Sequence, residues 1–255
     1  MQDTQEHEST EYQVVQQGRT NDPVVKWLWL SLGALIIIFL FAVLYIVVAG
    51  LIDPTGPRTA VEARLLLSAD AIKQQPQSGE ARLDRILSLA VVGRNREAMD
   101  EVNQAKKDLK GLELPYAYLG EASVLFGQNK YDLATKAADD GLKVNDKAVA
   151  TELAKYAEKK IRVNPETLAQ KLGVRLLMVK AQSLARLGRT KDSLDALTAA
   201  LKADPLASDV LVLRAKTYQE LGQPEKAKAD FETALKYIPD YEPALSGLRA
   251  LDGKK

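Results

Sequence analysis

The chain has 255 residues, with 35 basic and 34 acidic side chains and no cysteine. This length gives one or two domains with a sizeable core, and a net charge of +1 argues against nucleic acid as the main partner. The lack of cysteine excludes disulfides, thiol catalysis and cysteine-type zinc sites. The single histidine, His7, lies in a polar stretch, which excludes a catalytic triad or a histidine metal site in the folded part.

The first segment, residues 1–23, is rich in Gln, Glu, Asp, Ser and Thr. Up to Lys26 there are five acids and two bases. Apolar side chains are too few to offset the entropy lost on ordering such a segment. We therefore expect a disordered acidic tail over 1–23.

An uncharged run of 26 residues follows, from Trp27 to Ile52. As a helix it would be about 39 Å long, enough to cross a bilayer with some tilt. Trp27 and Trp29 stand at one end, where amphipathic rings prefer the headgroup level. The run predicts an uncleaved transmembrane helix over 24–52. Two alternatives stay open: a buried core helix, and a signal peptide that is cleaved near Ala49.

The orientation of this helix is weakly specified by charge. Arg19 and Lys26 precede it, and Arg58 and Arg64 follow it, so the positive-inside rule is balanced. Lys26 stands next to the run on one side and Asp53 opens the other side. This difference favours a cytoplasmic N-terminus, with the rest of the chain on the extracytoplasmic side.

Residues 53–78 are expected to hold a linker and a first helix. The stretch 53–57 contains two prolines and a glycine, which end the preceding helix and make a short, stiff exit. A first helix is predicted over 59–73, with Leu65 to Leu67 mostly buried.

From residue 59 onward, helical periodicity alternates with short breaks, and no alternating stretch predicts a strand. Comparing the sequence with itself at an offset of 34 residues gives a series of matches. The matched positions are Leu177 and Leu211, Ala181 and Ala215, Leu187-Gly188 and Leu221-Gly222, Ala200-Leu201-Lys202 and Ala234-Leu235-Lys236, Pro205 and Pro239, Gly93 and Gly127, and Asn95 and Asn129.

The two clearest units, 174–207 and 208–241, resemble the tetratricopeptide repeat (TPR) family. Small, aromatic and turn residues fall at the spacing of that family: Ala215, Tyr218, Leu221-Gly222, Ala227, Phe231, Ala234 and Pro239 in one unit, and Ala181, Leu184, Leu187-Gly188, Leu197, Ala200 and Pro205 in the other. Ser193 stands where the family prefers Ala, and Leu177 and Leu211 replace its large aromatic residue. The resemblance implies an all-α fold, a helix-turn-helix repeat solenoid, preceded by the one transmembrane helix.

Physical chemistry agrees with these two units. Small residues such as Ala181 and Ala215 let crossing helices approach to about 8–10 Å. Gly188 and Gly222 suit the left-handed position that ends a helix. Pro224 suits the first turn of the next helix.

Looser copies extend the repeat region to 79–241. Residues 79–112 and 115–146 have helical periodicity, and the turn after Gly127 is predicted to be about two residues longer than in the clear units. The stretch 146–174 is out of period. It predicts a break near Asp146 with a separate helix over about 147–161.

Two further helices complete the predicted order. A cap at Asn164-Pro165-Glu166 should begin a long helix that ends near Leu187. Residues 242–255 are expected to hold a capping helix and a tail, because a repeat array otherwise leaves an apolar face exposed at its end.

No motif in the chain indicates catalysis. Phosphate loops of the G-x-x-x-x-G-K-[ST] type, G-x-S-x-G and H-E-x-x-H are all absent from the sequence. The acidic pair Asp139-Asp140 is interpreted as part of a solvated helix face. The sequence therefore predicts a protein that is not an enzyme and that has no cofactor or metal ion.

Binding is expected on the concave face of the solenoid, which the first helix of each pair lines. The family pattern turns eight residues of the clear units inward: Arg175, Met178, Gln182 and Arg186, and Asp209, Val212, Lys216 and Glu220. From these, Arg175, Gln182, Arg186 and Lys216 are the candidate protein-binding residues, suited to an extended peptide with some negative charge. The alternative is a solvated helix face with no partner.

In composition and order the chain resembles the membrane-anchored repeat proteins of bacterial cell envelopes. The resemblance implies a non-catalytic scaffold or adaptor that sits in the plasma membrane by one helix and binds protein partners, with no nucleic acid and no small-molecule substrate. An alternative is a chaperone-like accessory subunit for protein translocation or for the assembly of redox proteins in the envelope.

Overall fold

The structure is a computed structural model that describes residues 23–51, 59–162 and 165–252. Within these ranges the regular elements are helices and no strand occurs, as the predicted fold class requires. The expected acidic tail, the proline-containing linker, Asn164 of the expected cap and the last three residues lie outside the described residues.

The chain divides into two units, Met1–Gly56 and Pro57–Lys255. The described part of the first unit is one helix, α1 (Pro23–Leu51). The helices of the second unit are α2 (Ala60–Gln74), α3 (Gly79–Val91), α4 (Asn95–Asp108), α5 (Leu114–Gly127), α6 (Tyr131–Glu158), α7 (Pro165–Arg186), α8 (Thr190–Ala203), α9 (Ser208–Glu220), α10 (Pro224–Tyr237) and α11 (Glu242–Asp252), with a short 3-10 turn at Gly111–Glu113.

Helix α1 has the length and composition of a membrane span. The segment Pro23–Tyr45 has a mean hydropathy of 2.6, and none of it is buried. No other helix in the described ranges is both long and apolar enough to cross a bilayer. A signal sequence has the same length and composition, so α1 is compatible with either a membrane span or a signal sequence.

Helix α2 begins with a reciprocal cap. The Thr59 hydroxyl accepts from the Glu62 amide at 3.1 Å, and the Glu62 carboxylate accepts from the Thr59 amide at 3.2 Å. Leu65 is buried, but Leu66 and Leu67 are 53% and 71% exposed, so the expected burial of all three was wrong. Since α2 packs mainly on α3 and successive residues point about 100° apart, one neighbour covers only one of them.

The other helices stack as successive antiparallel pairs. The pairs are α3 with α4, α5 with α6, α7 with α8, and α9 with α10, and the second helix of each pair also packs on the first helix of the next pair. Helix α11 packs on α10 and covers the last pair. This order is that of a TPR-like solenoid.

Each pair turns through the same local structure. Gly93, Gly188 and Gly222 have left-handed φ values of 79°, 73° and 68°. The next amide donates to the carbonyl five residues earlier, for example Gln223 to Tyr218 at 2.9 Å, which is the Schellman pattern. Glycine is favoured there because it has no Cβ to clash.

The second pair uses Asn129 in place of glycine. Its φ is 59°, and the Lys130 amide donates to the Leu125 carbonyl at 2.9 Å. Gly127 is the last residue of α5, so the expected match with Gly93 and the expected longer turn were both wrong. The connection has the same three residues as the others, and asparagine is one of the few side chains that tolerate this conformation.

Small residues let the helices approach closely. Ala181 and Ala215 are fully buried, as the crossing positions of the clear units require. A Cβ on Gly141 of α6 would lie 2.8 Å from Leu176 Cδ2 and 2.9 Å from Tyr118 Cβ. Such contacts leave no room for a larger side chain.

The predicted break near Asp146 and the separate helix over 147–161 are absent, because α6 continues without interruption to Glu158. The long helix α7 does begin at Pro165. Helix α6 extends beyond the packed repeats: Val149 is its last buried residue, and none of the residues 150–162 is buried. We call residues 150–162, together with the start of α7 at 165–170, the arm.

Candidate protein-binding groove

The first helices of the last two pairs form an open groove of about 720 Å³, which we call the α7–α9 groove. Helix α8 packs between α7 and α9 and keeps them apart. The space between α7 and α9 is therefore the groove, and residues of α8 form its floor. The lining residues are Phe126, Ala181, Gln182, Ala185, Arg186, Ser193, Leu197, Leu213, Lys216, Thr217 and Glu220.

The floor of the groove is apolar. Ala181 and Leu197 are almost fully buried, and Leu213 is packed against the same cluster. Phe126 borders the groove from α5, and its ring packs against Tyr131 with centroids 5.5 Å apart. This contact helps to fix the Phe126 side chain, so the groove offers a fixed apolar surface to a ligand.

The rim of the groove carries the charges. Arg186, Lys216 and Glu220 are exposed, and none of them forms an ion pair within the described part of the chain. The Thr217 hydroxyl donates to the Leu213 carbonyl at 3.0 Å, which leaves its oxygen able to accept. An apolar floor with two free cations, one carboxylate and the Gln182 amide suits an extended peptide with an acidic group.

The structure brings three of the four predicted binding residues together. Gln182, Arg186 and Lys216 all line the groove, whereas Arg175 does not. Arg175 lies close to Tyr116 at the start of α5. Burial raises the pKa of Tyr116, the nearby Glu113 and Glu80 raise it further, and Arg175 acts against this rise.

The expected inward pattern also fails at three positions, because Asp209, Met178 and Val212 do not line the groove. Val212 is only 4% exposed, in the core, and Met178 is packed against the same core cluster. The groove residues of α9 instead lie at positions i, i+3, i+4 and i+7 of one helix face: Leu213, Lys216, Thr217 and Glu220. Steps of four alone drift around a helix by about 40° each, and that drift placed Val212 on the wrong face.

Leu213 and Thr217 were therefore missed, although the sequence holds the signal for both. They lie three residues before and one residue after Lys216, on one stripe of a helix with 3.6 residues per turn. Phe126 had no such signal, because it comes from the preceding pair and reaches the groove only through the tertiary packing.

A second cavity of about 410 Å³ lies between α6, α7 and α8. Its charges are mostly paired: Lys180 with Asp139 at 2.6 Å, and Arg189 with Asp192 at 2.7 Å. This pairing leaves few free groups for a ligand. Asp139 and Asp140 thus belong to surface ion pairs, the latter with Lys143 at 3.3 Å.

In the pair α9–α10, the positions that correspond to the lining of this second cavity are occupied by a largely buried ion pair, Arg214 with Asp230. Arg214 donates twice to Asp230, both at 2.8 Å, and this contact raises the pKa of Arg214. One period earlier these positions are Lys180 and Ala196. Without the acid on α8, Lys180 reaches back to Asp139 on α6 instead.

No group of three or more potential metal ligands occurs within the residues that the structure describes. The groove likewise offers only one carboxylate and no imidazole or thiol. The groups that it does offer, the Arg186 and Lys216 cations, the Gln182 amide and the apolar floor, suit hydrogen bonds, charge and apolar contact.

Comparisons with known proteins agree with this architecture. The tetratricopeptide repeat family model matches residues 184–251. A thermophilic TPR protein from Thermus thermophilus is 16% identical and superposes with a TM-score of 0.53, covering 75% of this chain and 90% of that one. No curated protein matches the chain.

Looser structural matches include MamA 41-end from Desulfovibrio magneticus RS-1, with 15% identity, a TM-score of 0.43 and coverage of 72% of this chain and 89% of that one. The family model matches the last repeats, and the superposition with the Thermus thermophilus protein covers three quarters of the chain. Together they support a tetratricopeptide repeat array in the repeat region. Such arrays generally serve as non-catalytic protein-interaction modules.

Proposed function

We propose that the chain is a single-pass membrane protein whose repeat region holds a protein partner close to the bilayer. The observation that carries this proposal is the α7–α9 groove, with its apolar floor and free rim charges. Stacked helix pairs generally use such concave surfaces to bind extended segments. Groups that would turn over a substrate are absent from the lining of the groove.

The anchor in this proposal is helix α1. Its apolar segment is long enough to cross a bilayer, and Lys26 before it and Asp53 after it favour an extracytoplasmic repeat region. A tethered binding site acts on a high local concentration of a membrane-bound partner, so a modest affinity is sufficient. A scaffold or adaptor in a bacterial cell-envelope complex fits these properties.

The partner segment is expected to be extended and to carry at least one acidic group. Arg186 and Lys216 would contact that group, the partly exposed Phe126 and Leu213 would receive an aliphatic side chain, and Gln182 would bond to the main chain. Arg175 lies outside the groove and has no place in this contact set.

The decisive experiment uses the full-length protein in cells, with a photo-crosslinking residue in place of Glu220. A double reversal, Arg186→Glu with Lys216→Glu, should lower crosslinking to the partner, because it introduces like charges and slows encounter. The melting temperature should stay nearly unchanged, since exposed charges contribute little to stability. The matched control is Lys202→Glu with Lys236→Glu, on the exposed faces of α8 and α10. Equal crosslinking in both double variants would exclude the groove as the binding surface.

The number of crosslinked proteins distinguishes the scaffold from the chaperone-like accessory subunit. A scaffold should give one partner at a fixed ratio, and a chaperone many clients. The anchor is tested separately, by the mass of the mature chain and by protease access to the repeats in spheroplasts. A chain that starts near Gly50 would make the protein secreted and would overturn the anchoring.

A further inference from the structure

The arm differs from every other connection between the stacked pairs. The link from α8 to α9 is four residues long, 204–207, whereas the second pair reaches α7 only after nine further helical residues of α6, 150–158, none of which is buried. Helices α6 and α7 pack along each other, and no residue of the span 150–162 is buried. The repeat core therefore does not account for the arm, and an isolated hairpin of this size gains little stability by itself.

The tip of the arm is basic. Lys159, Lys160 and Arg162 follow one another around Ile161, and all four side chains are exposed. None of the three cations forms an ion pair with a side chain that the structure describes, a set that leaves out the neighbouring span 163–170. Ile161 is 49% exposed, and Tyr156 lies half-buried one turn earlier. Glu158, also exposed, precedes Lys159, so residues 156–162 carry three bases against one acid beside an aliphatic and an aromatic side chain.

Lys160 occupies a conformation that is costly for lysine. Its φ is 56°, and the next amide, of Ile161, donates to the Tyr156 carbonyl at 2.9 Å. The equivalent turns of the repeats place Gly or Asn in this position, because a Cβ clashes with the carbonyl there. The Lys160 side chain is exposed, so no packing contact compensates for this strain.

We propose that the tip of the arm, Lys159 to Arg162 with Tyr156, binds the anionic headgroups of the bilayer. The proposal rests on the anchoring of the chain by α1. Clustered Lys and Arg side chains next to a membrane are attracted to anionic lipids, and aliphatic and aromatic neighbours enter the interface. Both cavities described above lie in the repeats, so the tip offers a charged surface and not a pocket for a peptide side chain. A near-zero net charge makes nucleic acid a poor alternative.

The test uses the full chain, reconstituted into vesicles of phosphatidylcholine with or without phosphatidylglycerol. Because the chain has no cysteine, Ala157→Cys gives a unique site for an environment-sensitive fluorophore near the tip. A blue shift that requires phosphatidylglycerol and disappears at about 1 M salt, where the Debye length is about 3 Å, is the expected result.

The variant Lys159→Glu with Lys160→Glu and Arg162→Glu should lower the equilibrium constant for binding of the tip to the vesicle by at least roughly a hundredfold, given the contribution of each base near an anionic surface. The neutral variant with Gln at the same three positions should lie between it and the wild type. The control, Lys191→Glu with Lys202→Glu and Lys236→Glu, changes the net charge equally on exposed sites of the last two pairs and should keep the shift.

Three results would overturn the proposal: the same shift in neutral vesicles, the same loss in both triple variants, or a shift that rises with the amount of protein per vesicle. The last would assign the tip to a contact between copies of the chain. Failure of the anchor is seen separately, as protein released from neutral vesicles by salt during flotation, and failure of the groove is seen as unchanged crosslinking in its own double variant.

Discussion

The last repeat and the arm are both built from antiparallel helices, but their cores differ. In the pair α9–α10, Phe231, Ala215 and Ala234 are completely buried, and the buried Arg214–Asp230 pair joins the two helices. In the arm, the described residues 150–162 include none that is buried. The comparison shows that helical structure continues where the core has ended, so helix content alone does not mark the limits of the solenoid.

The largest expected effect comes from removing the core of the last repeat. Phe231→Ala should lower the free energy of unfolding by about 3–5 kcal/mol, because a fully buried aromatic ring leaves a cavity. The matched change in the arm, Ile161→Ala, should cost less than about 0.5 kcal/mol, as is usual for exposed positions. Urea unfolding of both variants measures the difference. Similar losses would mean that the arm is part of the cooperative core.

A smaller contrast is expected between the ion pairs of the two regions. Asp230→Ala should cost about 2–3 kcal/mol, because it leaves the Arg214 guanidinium largely buried without a partner. Lys155 and Glu152 form an exposed pair at 2.6 Å in the arm, and Glu152→Ala should cost no more than about 0.5 kcal/mol. Thermal unfolding of the two single variants checks this order, and the double variant Arg214→Met with Asp230→Leu should recover part of the first loss.

Substitutions at two left-handed turn positions, Gly222 in the last repeat and Lys160 in the arm, should change the stability of the protein in opposite directions. Gly222→Ala should destabilise the protein by about 1 kcal/mol, because the alanine Cβ is strained at this φ. Lys160→Gly relieves the same strain at the tip of the arm and should be neutral or stabilising by less than about 1 kcal/mol, since glycine also gains entropy in the unfolded chain. Melting temperatures of the two variants test this, and a destabilising Lys160→Gly would show that the lysine makes a stabilising contact.

The smallest expected effect is a change in the pKa of Tyr116, which lies near Arg175 outside the groove. Burial and two carboxylates raise the pKa of Tyr116, and Arg175 opposes that rise. Arg175→Gln should therefore raise the pKa of Tyr116 further, whereas Arg186→Gln in the groove should leave it unchanged. Ultraviolet titration at alkaline pH, with Tyr116→Phe as the reference, measures both.

The same pKa has a consequence for stability. Because the folded state favours the neutral phenol, Tyr116 contributes stability below the ordinary tyrosine pKa of about 10, and this contribution is lost as the pH rises through the raised value. The Tyr116→Phe variant should lose less stability over that alkaline range than the wild type. Parallel denaturation curves for the variant and the wild type would contradict the raised pKa of Tyr116.

The clear repeats could be predicted from the sequence because each structural position in them requires a particular type of residue. Gly188 and Gly222 mark the left-handed turns, Ala181 and Ala215 mark the crossings, and the offset of 34 relates them. The comparison at an offset of 34 did not identify Asn129 as a turn residue. This residue adopts the left-handed conformation that glycine has in the other turns, but it lies 36 residues after Gly93. A periodic comparison finds identical residues, but not different residues in the same backbone conformation.

The arm could not be predicted, because the expected period imposed a break where no residue requires one. Residues 142–164 contain neither Gly nor Pro, so local propensity allows α6 to continue past Asp146. In the candidate groove, Arg186 and Lys216 followed from the helical pattern, while Phe126 depends on how the preceding pair stacks. The periodic part of a site is thus visible in the sequence, and the part that crosses between repeats is not.

The turns place the groove and the arm at opposite ends of the stacked helices. Arg186, Glu220 and Phe126 lie within three residues of the left-handed positions Gly188, Gly222 and Asn129, whereas the arm leaves from the other edge, where the second helix of one pair connects to the next pair. Helix α9, with 13 residues, separates these edges by about 20 Å, and the nine arm residues of α6 beyond Val149 add about 13 Å. The turn end of the α7–α9 groove and the tip of the arm are therefore about 30 Å apart, so a ligand at one of them could not touch a ligand at the other.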